Sequence, residues 1–144
     1  MLRRRVVVTG MGMVSPLGIG VEKSWEALIQ GKSGVGRITK FDPTGYDTTI
    51  AAEVKGFSPE NFIDKKEIRR MDVFIQYAMA ASVMAMESSG LKITPENGDR
   101  VAVVVGAGLG GLTTIEATHK VLLERGPSRI SPFFIPSLIV NEAP

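Results

Sequence analysis

Four cations lie within six consecutive residues and are the groups of this sequence with the most evident chemistry. They are Lys65, Lys66, Arg69 and Arg70, in a segment whose pattern favours a helix. On a helix, Lys66 shares one face with Arg69 and Arg70, because side chains three and four residues apart are neighbours. Such a face suits a phosphate group or an acidic partner. The alternative is a solvated helix face with Glu67 as the local counterion, and the residues alone leave both interpretations open.

A glycine-rich segment, 106–111, contains the pattern G-x-G-x-x-G between a predicted strand and a predicted helix. That is the context of a dinucleotide site, which also needs an acidic residue about 20 positions further on, after a second strand. Residues 125–131 contain neither the acid nor a strand pattern. We therefore expect the glycines to allow close backbone packing, or the close passage of an apolar substrate.

Other groups that could perform chemistry are few. The sequence has no cysteine, which excludes a thiolate nucleophile, a disulfide and a zinc–thiolate site within it, and fits a reducing compartment. His119 lies on the same helical stripe as Ile115 and Leu122, which indicates a packing or surface role. The sequence therefore predicts no catalytic residue, no metal site and no bound cofactor within these residues. Five acids lack metal-ligand spacing: Asp42, Asp47, Glu53, Glu60 and Asp64.

The pattern of apolar residues predicts strands and helices in alternation. Two β-branched runs, 6–8 and 101–105, are typical of strands buried on both faces. Residues 50–54 could form a short edge strand, whereas 34–45 has the composition of a loop. The prolines at 132 and 136 predict an extended or irregular segment over 131–136.

Helices are predicted in three places. Apolar residues from Val21 to Ile29 have helical spacing, and Gly31 suits the position after a helix end. Residues 64–90 are predicted to be mostly helical, with small residues that imply close packing. A capping box, Thr113 with Glu116, predicts a helix that ends near Arg125. Two buried strands separated by helices indicate a layered α/β domain.

Composition sets broad limits on function. Hydrophobic residues make up 44% of the 144 residues and charged residues 22%, the balance of a globular protein rather than a disordered one. A net charge of +2 gives no reason to expect nucleic-acid binding. The longest apolar stretch, 73–86, is too short to span a bilayer. Arg3 to Arg5 followed by Val6 to Val8 superficially resembles the start of a secretory signal, but Thr9-Gly10 breaks the apolar run at once. We therefore expect a cytoplasmic protein without membrane insertion.

The sequence also resembles the β-ketoacyl-acyl-carrier-protein synthases, of the elongating type II kind. Several separate motifs occur in the order of that family and extend almost through the chain. The segments that carry the resemblance are Val6 to Gly18, Lys32 to Gly34, Phe41-Asp42, Arg69 to Asp72, Gly108 to Leu112, and Ile130 to Pro136.

The resemblance implies a partial thiolase-like layered α/β fold. Residues 1–144 would form a single incomplete domain, the first part of the N-terminal half of such an enzyme. The family condenses an acyl thioester with malonyl-carrier protein, loses carbon dioxide, and uses a cysteine nucleophile with two histidines. None of these catalytic groups matches a residue of this chain, so it is expected to be inactive alone. The full enzyme would be a cytoplasmic homodimer that needs no metal or nucleotide.

The resemblance also assigns accessory roles to particular residues. Lys66, Arg69 and Arg70 match positions that meet the acidic carrier protein, and Lys65 and Arg129 are neighbours added to that set. Leu109 matches an apolar gate of the acyl pocket, while Leu112 and Phe134 match pocket or dimer-interface positions. One alternative is a non-catalytic fragment that docks carrier protein or dimerises. A small nucleotide-binding domain is a third possibility, which the missing acid and the missing second strand after the glycine pattern argue against.

Overall fold

A computed structural model describes residues 4–144. The chain forms two compact units, one of residues up to 58 with 81–90, and one of residues 59–80 with 91–144. The first unit contains β1 (Val14–Ser15), β2 (Gly18–Ile19), α1 (Val21–Ile29), β3 (Val35–Arg37) and β4 (Ile50–Ala52). The second contains α2 (Lys65–Ile68), α4 (Leu112–Arg125), α5 (Phe134–Leu138), and 3-10 turns at Pro59–Asn61, Gly98–Arg100, Pro127–Arg129 and Val140–Glu142. The longest helix, α3 (Val73–Ser89), contributes residues to each unit.

Two short antiparallel ladders make up the strands of the first unit. In β1 and β2, Val14 lies opposite Ile19, and the hydroxyl of Ser15 is 2.9 Å from the hydroxyl of buried Ser24 on α1. In β3 and β4, Val35 lies opposite Ala52. The predicted edge strand is therefore confirmed over residues 50–52, whereas β3 lies in a segment for which we predicted a loop.

The carboxylate of Glu53 fixes the chain that follows β3. It accepts hydrogen bonds from the hydroxyl of Thr39 at 2.6 Å and from the backbone amides of Thr39 and Lys40 at 3.1 and 3.2 Å. The hydroxyl of Thr39, and then its amide, lower the pKa of Glu53 because both donate to the ionised form. The carboxylate of Glu53, which directly follows β4, thus holds the loop that leaves the partner strand β3.

The N-terminal glycines lie directly on α3 within the first unit. A methyl group on Gly12 would lie 2.9 Å from the amide nitrogen of Ala85, and one on Gly10 would lie 2.7 Å from Cβ of Ser89. Such separations are shorter than non-bonded carbon contacts allow, so only glycine fits at these positions. The prediction that small residues of α3 support close packing is confirmed here.

The two valine runs do not form the buried strands that we predicted. Residues 6–8 and 101–105 belong to no strand, and Val6 and Val104 are 95% and 91% exposed. A strand requires a neighbour whose backbone accepts and donates its ladder hydrogen bonds. The part of the chain that the structure describes supplies no such neighbour to either run. Their apolar side chains therefore remain in contact with water.

The predicted helices agree with the structure better than the predicted strands do, but two predictions need correction. α1 ends before Gly31, and residues 64–90 are mostly helical, as predicted. Residues 131–133 are irregular, as predicted, but residues 134–136 are helical. α5 begins at Phe134, and its Pro136 lies in the first turn, where no intrahelical amide bond is lost. α4 begins at Leu112 after Gly111, without a side-chain cap from its N-cap residue, so the predicted Thr113–Glu116 capping box is wrong.

The exposed valine runs predict self-association, since contiguous exposed apolar segments outside any ladder attract other chains. Val104→Lys places a charge in the middle of one run and should lower the association constant measured by sedimentation equilibrium. Its effect on the free energy of unfolding should stay within about 0.5 kcal/mol, because the side chain makes little contact. Leu123→Lys, at a 73% exposed position on α4, is the matched control. Equal association in the Val104 variant and the wild type would contradict the prediction.

Candidate functional site

The five cations singled out in the sequence all lie in the second unit and are exposed. We call Lys65, Lys66, Arg69, Arg70 and Arg129 the basic surface. Lys65 and Lys66 are in α2, which ends at Ile68. Arg69 and Arg70 therefore lie in the turn after the helix, and the predicted continuous helical face is wrong. Arg129 is the last residue of a 3-10 turn.

Backbone and side-chain hydrogen bonds hold the turn that carries Arg69 and Arg70. The amide of Arg70 donates to the carbonyl of Glu67 at 2.8 Å. From the first turn of α3, the Nε2 amide of Gln76 donates to the carbonyls of Ile68 and Met71, at 3.3 and 2.9 Å. One side chain thus bonds to the backbone on both sides of the two arginines, at the end of α2 and just before Asp72. The backbone positions of the two arginines in this turn are consequently fixed.

The guanidinium of Arg70 has two partners of different kinds. Its Nη1 lies 3.3 Å from Oε1 of Glu67, and both side chains remain about half exposed, at 51% and 47%. Its central carbon lies 4.7 Å from the centre of the Phe133 ring, a cation–π distance. The local counterion role considered for Glu67 is therefore real. The aromatic contact was not evident from the sequence, because 63 positions separate the two residues.

Arg69 lies at a shallow groove of about 180 Å³ in the second unit. Thr118 of α4 and Ser131 add hydroxyl groups to it, while Phe133 and Phe134 add aromatic surface. A cation beside hydroxyls and aromatic rings suits a small acidic group with an apolar neighbour. Arg129 is two residues from Ser131 along the chain.

Asp72 joins the elements that support the basic surface. The residue is only 7% exposed, and its Oδ1 accepts a hydrogen bond from the amide of Phe74 in α3 at 3.3 Å. Its Oδ2 accepts from the hydroxyl and the amide of Thr114 in α4, at 2.6 and 3.1 Å. The carboxylate therefore caps the N-termini of two helices, where the helix dipoles favour negative charge.

The backbone of Asp72 extends the same connection to α5. Its amide donates to the carbonyl of Ser137 at 3.0 Å, and the amide of Gly111 donates to the carbonyl of Leu138 at 2.9 Å. A methyl group on Gly111 would lie 2.7 Å from Cα of Leu138 and 3.1 Å from Oδ2 of Asp72. The expectation that these glycines serve close packing is thus confirmed at Gly111.

The residues assigned to an acyl pocket or interface are not gathered into one site. Leu109 and Leu112 are 78% and 59% exposed, whereas Phe134 is partly buried and lines the groove at Arg69. Within the described residues, the first two therefore do not face an enclosed cavity.

Few other groups offer chemistry. His119 is exposed on α4, in agreement with a surface role. Over residues 4–144, no three acids or histidines are grouped so that they could hold a metal ion. No helix in that range has the length and apolar character needed to cross a bilayer.

Asp72 and Gln76 contribute to this site and were not predicted from the sequence. One signal was available for Asp72, since an aspartate directly before an apolar helical run is a typical N-cap. Nothing in the local sequence shows that the same carboxylate reaches Thr114, which is 42 positions away.

Comparison with known proteins gives the same family as the motifs. The family model described as "Beta-ketoacyl synthase, N-terminal domain" matches residues 3–143. This chain belongs to the β-ketoacyl synthase family. It is 53% identical over 141 residues to 3-oxoacyl-[acyl-carrier-protein] synthase 2 of Vibrio cholerae, and 52% identical over 143 residues to that of Coxiella burnetii. These alignments cover 98% and 99% of the chain but 34% of each relative, so the chain spans about a third of their length.

Solved structures confirm the fold class. The ishigamide ketosynthase/chain length factor matches with a TM-score of 0.80 at 32% identity, over 98% of this chain and 35% of that one. A β-ketoacyl synthase from Burkholderia phymatum matches with a TM-score of 0.78 at 27% identity, over 98% and 35%. The predicted partial thiolase-like α/β fold is therefore correct. The valine runs show that fold class can be right where individual strands are not.

The double cap makes Asp72 the position where a small change should be most costly. Asp72→Ala removes both caps and leaves the amides of Phe74 and Thr114 without their acceptors. Each lost cap costs about 0.5–2 kcal/mol, so the free energy of unfolding in urea should fall by roughly 1–4 kcal/mol. Asp42→Ala is the matched control, because the Asp42 carboxylate is exposed and bonds to Thr44 within its own turn. A loss at Asp72 no larger than that at Asp42 would show that the carboxylate does not join the helices.

Proposed function

We propose that this chain is the N-terminal part of a 3-oxoacyl-[acyl-carrier-protein] synthase of fatty-acid elongation. The observation that carries the proposal is the family match over residues 3–143, together with about 50% identity to relatives of that name. Such a synthase joins an acyl thioester to malonyl-carrier protein with loss of carbon dioxide. The carbanion left after decarboxylation attacks the acyl thioester carbonyl. The new carbon–carbon bond forms, the carbon–sulfur bond of the thioester breaks, and the thiolate leaves.

The role we propose for this chain within that reaction is recognition of the acyl-carrier protein by the basic surface. Five exposed cations, of which two lie on a turn fixed by Gln76, give a positive patch for an acidic partner. A further relative, with a TM-score of 0.76 and 27% identity, is described as a type II polyketide synthase acyl-carrier protein in complex with its ketosynthase. That description supports a carrier protein as the partner here.

We further propose that Leu109, Leu112 and Phe134 serve the acyl pocket or a dimer interface in a cytoplasmic homodimer. The exposure of Leu109 and Leu112 supports this assignment, since apolar side chains of this size gain about 1.5–3 kcal/mol each when a partner or ligand buries them. No observation favours a purely non-catalytic docking or dimerising fragment over this proposal.

The chemistry also defines what this chain should not do by itself. Acyl transfer from a carrier to the enzyme needs a nucleophile, a thiolate in this family, and the chain contains no cysteine. Incubation of the purified chain with acyl-carrier protein loaded with a fatty acyl group should leave its intact mass unchanged. A mass increase equal to the acyl group would contradict the prediction and would place the nucleophile within these residues.

Binding to the carrier protein should be sensitive to salt and should depend on the basic surface. Arg69→Glu with Arg70→Glu should weaken affinity about tenfold or more in fluorescence anisotropy. The reason is that each reversal removes an attraction and adds a repulsion of the 0.2–1 kcal/mol size typical of exposed pairs. Higher ionic strength should weaken wild-type binding, because exposed charges are screened.

The control for this experiment is Lys120→Glu with Arg125→Glu, which makes the same change of charge on α4. It should retain most of the wild-type affinity, since neither residue belongs to the basic surface. Equal losses in the two double variants would indicate only a general dependence on net charge, and would remove the proposed role of Arg69 and Arg70.

A further inference from the structure

One acid beside the basic surface already forms an ion pair with one of its cations. Glu67 lies between Lys66 and Ile68 in α2, and its carboxylate is 3.3 Å from Nη1 of Arg70. Within residues 4–144, the other four members of the surface form no ion pair. Arg70 is therefore the cation whose charge is already partly neutralised in the free chain.

The contact of Arg70 with Phe133 differs from its contact with Glu67. The ring centre is 4.7 Å from the guanidinium carbon and carries no net charge, so it holds the group without neutralising it. An arginine has five N–H donors in a fixed plane and can present two of them to a carboxylate at once. Phe133 thus keeps the plane in place, while Glu67 competes for the same donors as an incoming acid.

Two further acids belong to this neighbourhood. Glu60 and Asp64 line a groove of about 570 Å³ together with Lys65, Lys66 and Glu67. Neither Glu60 nor Asp64 forms an ion pair with the basic surface in the part of the chain that the structure describes. Glu67 is consequently the acid placed to compete directly.

We propose that Glu67 competes with the acidic partner for Arg70. Glu67 pairs with Arg70 in the free chain and releases it when a carboxylate of the partner binds. This inference rests on the proposed docking function. An exchange of one carboxylate for another gains less than the formation of a new ion pair, because Arg70 is never left without a counterion. After the exchange, Glu67 remains close to the bound acid and repels it. Both effects lower affinity and favour rapid release of the partner.

The test compares Glu67→Gln with the wild type in binding to acyl-carrier protein at low ionic strength. The amide keeps the size of the side chain and removes its charge. We expect affinity to rise about two- to fivefold, the effect of releasing one exposed ion pair, with most of the change in the dissociation rate.

Glu124→Gln provides the matched control. Glu124 is also an exposed glutamate in an ion pair, with Lys120 of α4 at 3.9 Å, and its replacement changes the net charge equally. This variant should bind with nearly wild-type affinity. A gain equal to that of Glu67→Gln would mean that net charge alone is responsible, and would overturn the proposal.

A double-mutant cycle tests whether the effect passes through Arg70. In an Arg70→Gln background, Glu67→Gln should give a clearly smaller gain than it gives in the wild type, because the competition for Arg70 is gone and only the repulsion by Glu67 remains. A full gain in that background would overturn the proposal, since Glu67 would then act by repulsion of the partner alone.

Failure of the inference and failure of the docking function give different results. If the wild type binds in a salt-sensitive way but Glu67→Gln binds equally or more weakly, the competitor role is wrong and the docking function stands. If the wild type shows no salt-sensitive binding, both the docking function and the competitor role are wrong.

Discussion

The second unit depends on one buried carboxylate that is balanced by hydrogen bonds rather than by a cation. Asp72 forms no ion pair within the described residues, yet it is almost completely buried. Burial of a charge is costly unless donors replace the lost water. Two helix N-termini supply those donors here, through Phe74 in α3 and Thr114 in α4. The angle between these helices is thereby constrained at the point where the arginine turn meets them.

The basic surface follows from this constraint. The turn with Arg69 and Arg70 directly precedes Asp72, whose amide in turn bonds to α5. The ring of Phe133, immediately before α5, is thus brought to the guanidinium of Arg70. Arg70 and Phe133 are 63 positions apart in sequence, and they meet because Asp72 is hydrogen-bonded to α3, α4 and α5. The charges themselves contribute little to stability, since exposed ion pairs are weak.

Features that depend on local patterns could be predicted from the sequence. Features that depend on contacts between residues distant in sequence could not. The helical spacing from Val21 to Ile29 gave α1, and the small residues of α3 indicated close packing. The valine runs carry a strong strand pattern, but a ladder needs a neighbouring backbone that a single segment cannot specify. The five cations were found from their clustering and from family motifs. Their arrangement was not, because it depends on contacts of Asp72 and Phe133 across more than 40 positions.

The seating of Gly10 and Gly12 on α3 has a consequence for the valines that precede them. Residues 6–8 are exposed, but they are joined to a segment whose backbone lies against Ala81, Ala85 and Ser89 without intervening side chains. One end of the run therefore has a fixed position. If another polypeptide forms hydrogen bonds along these valines, the valine segment loses fewer conformations than a tail free at both ends would lose. The entropy lost on association is therefore smaller.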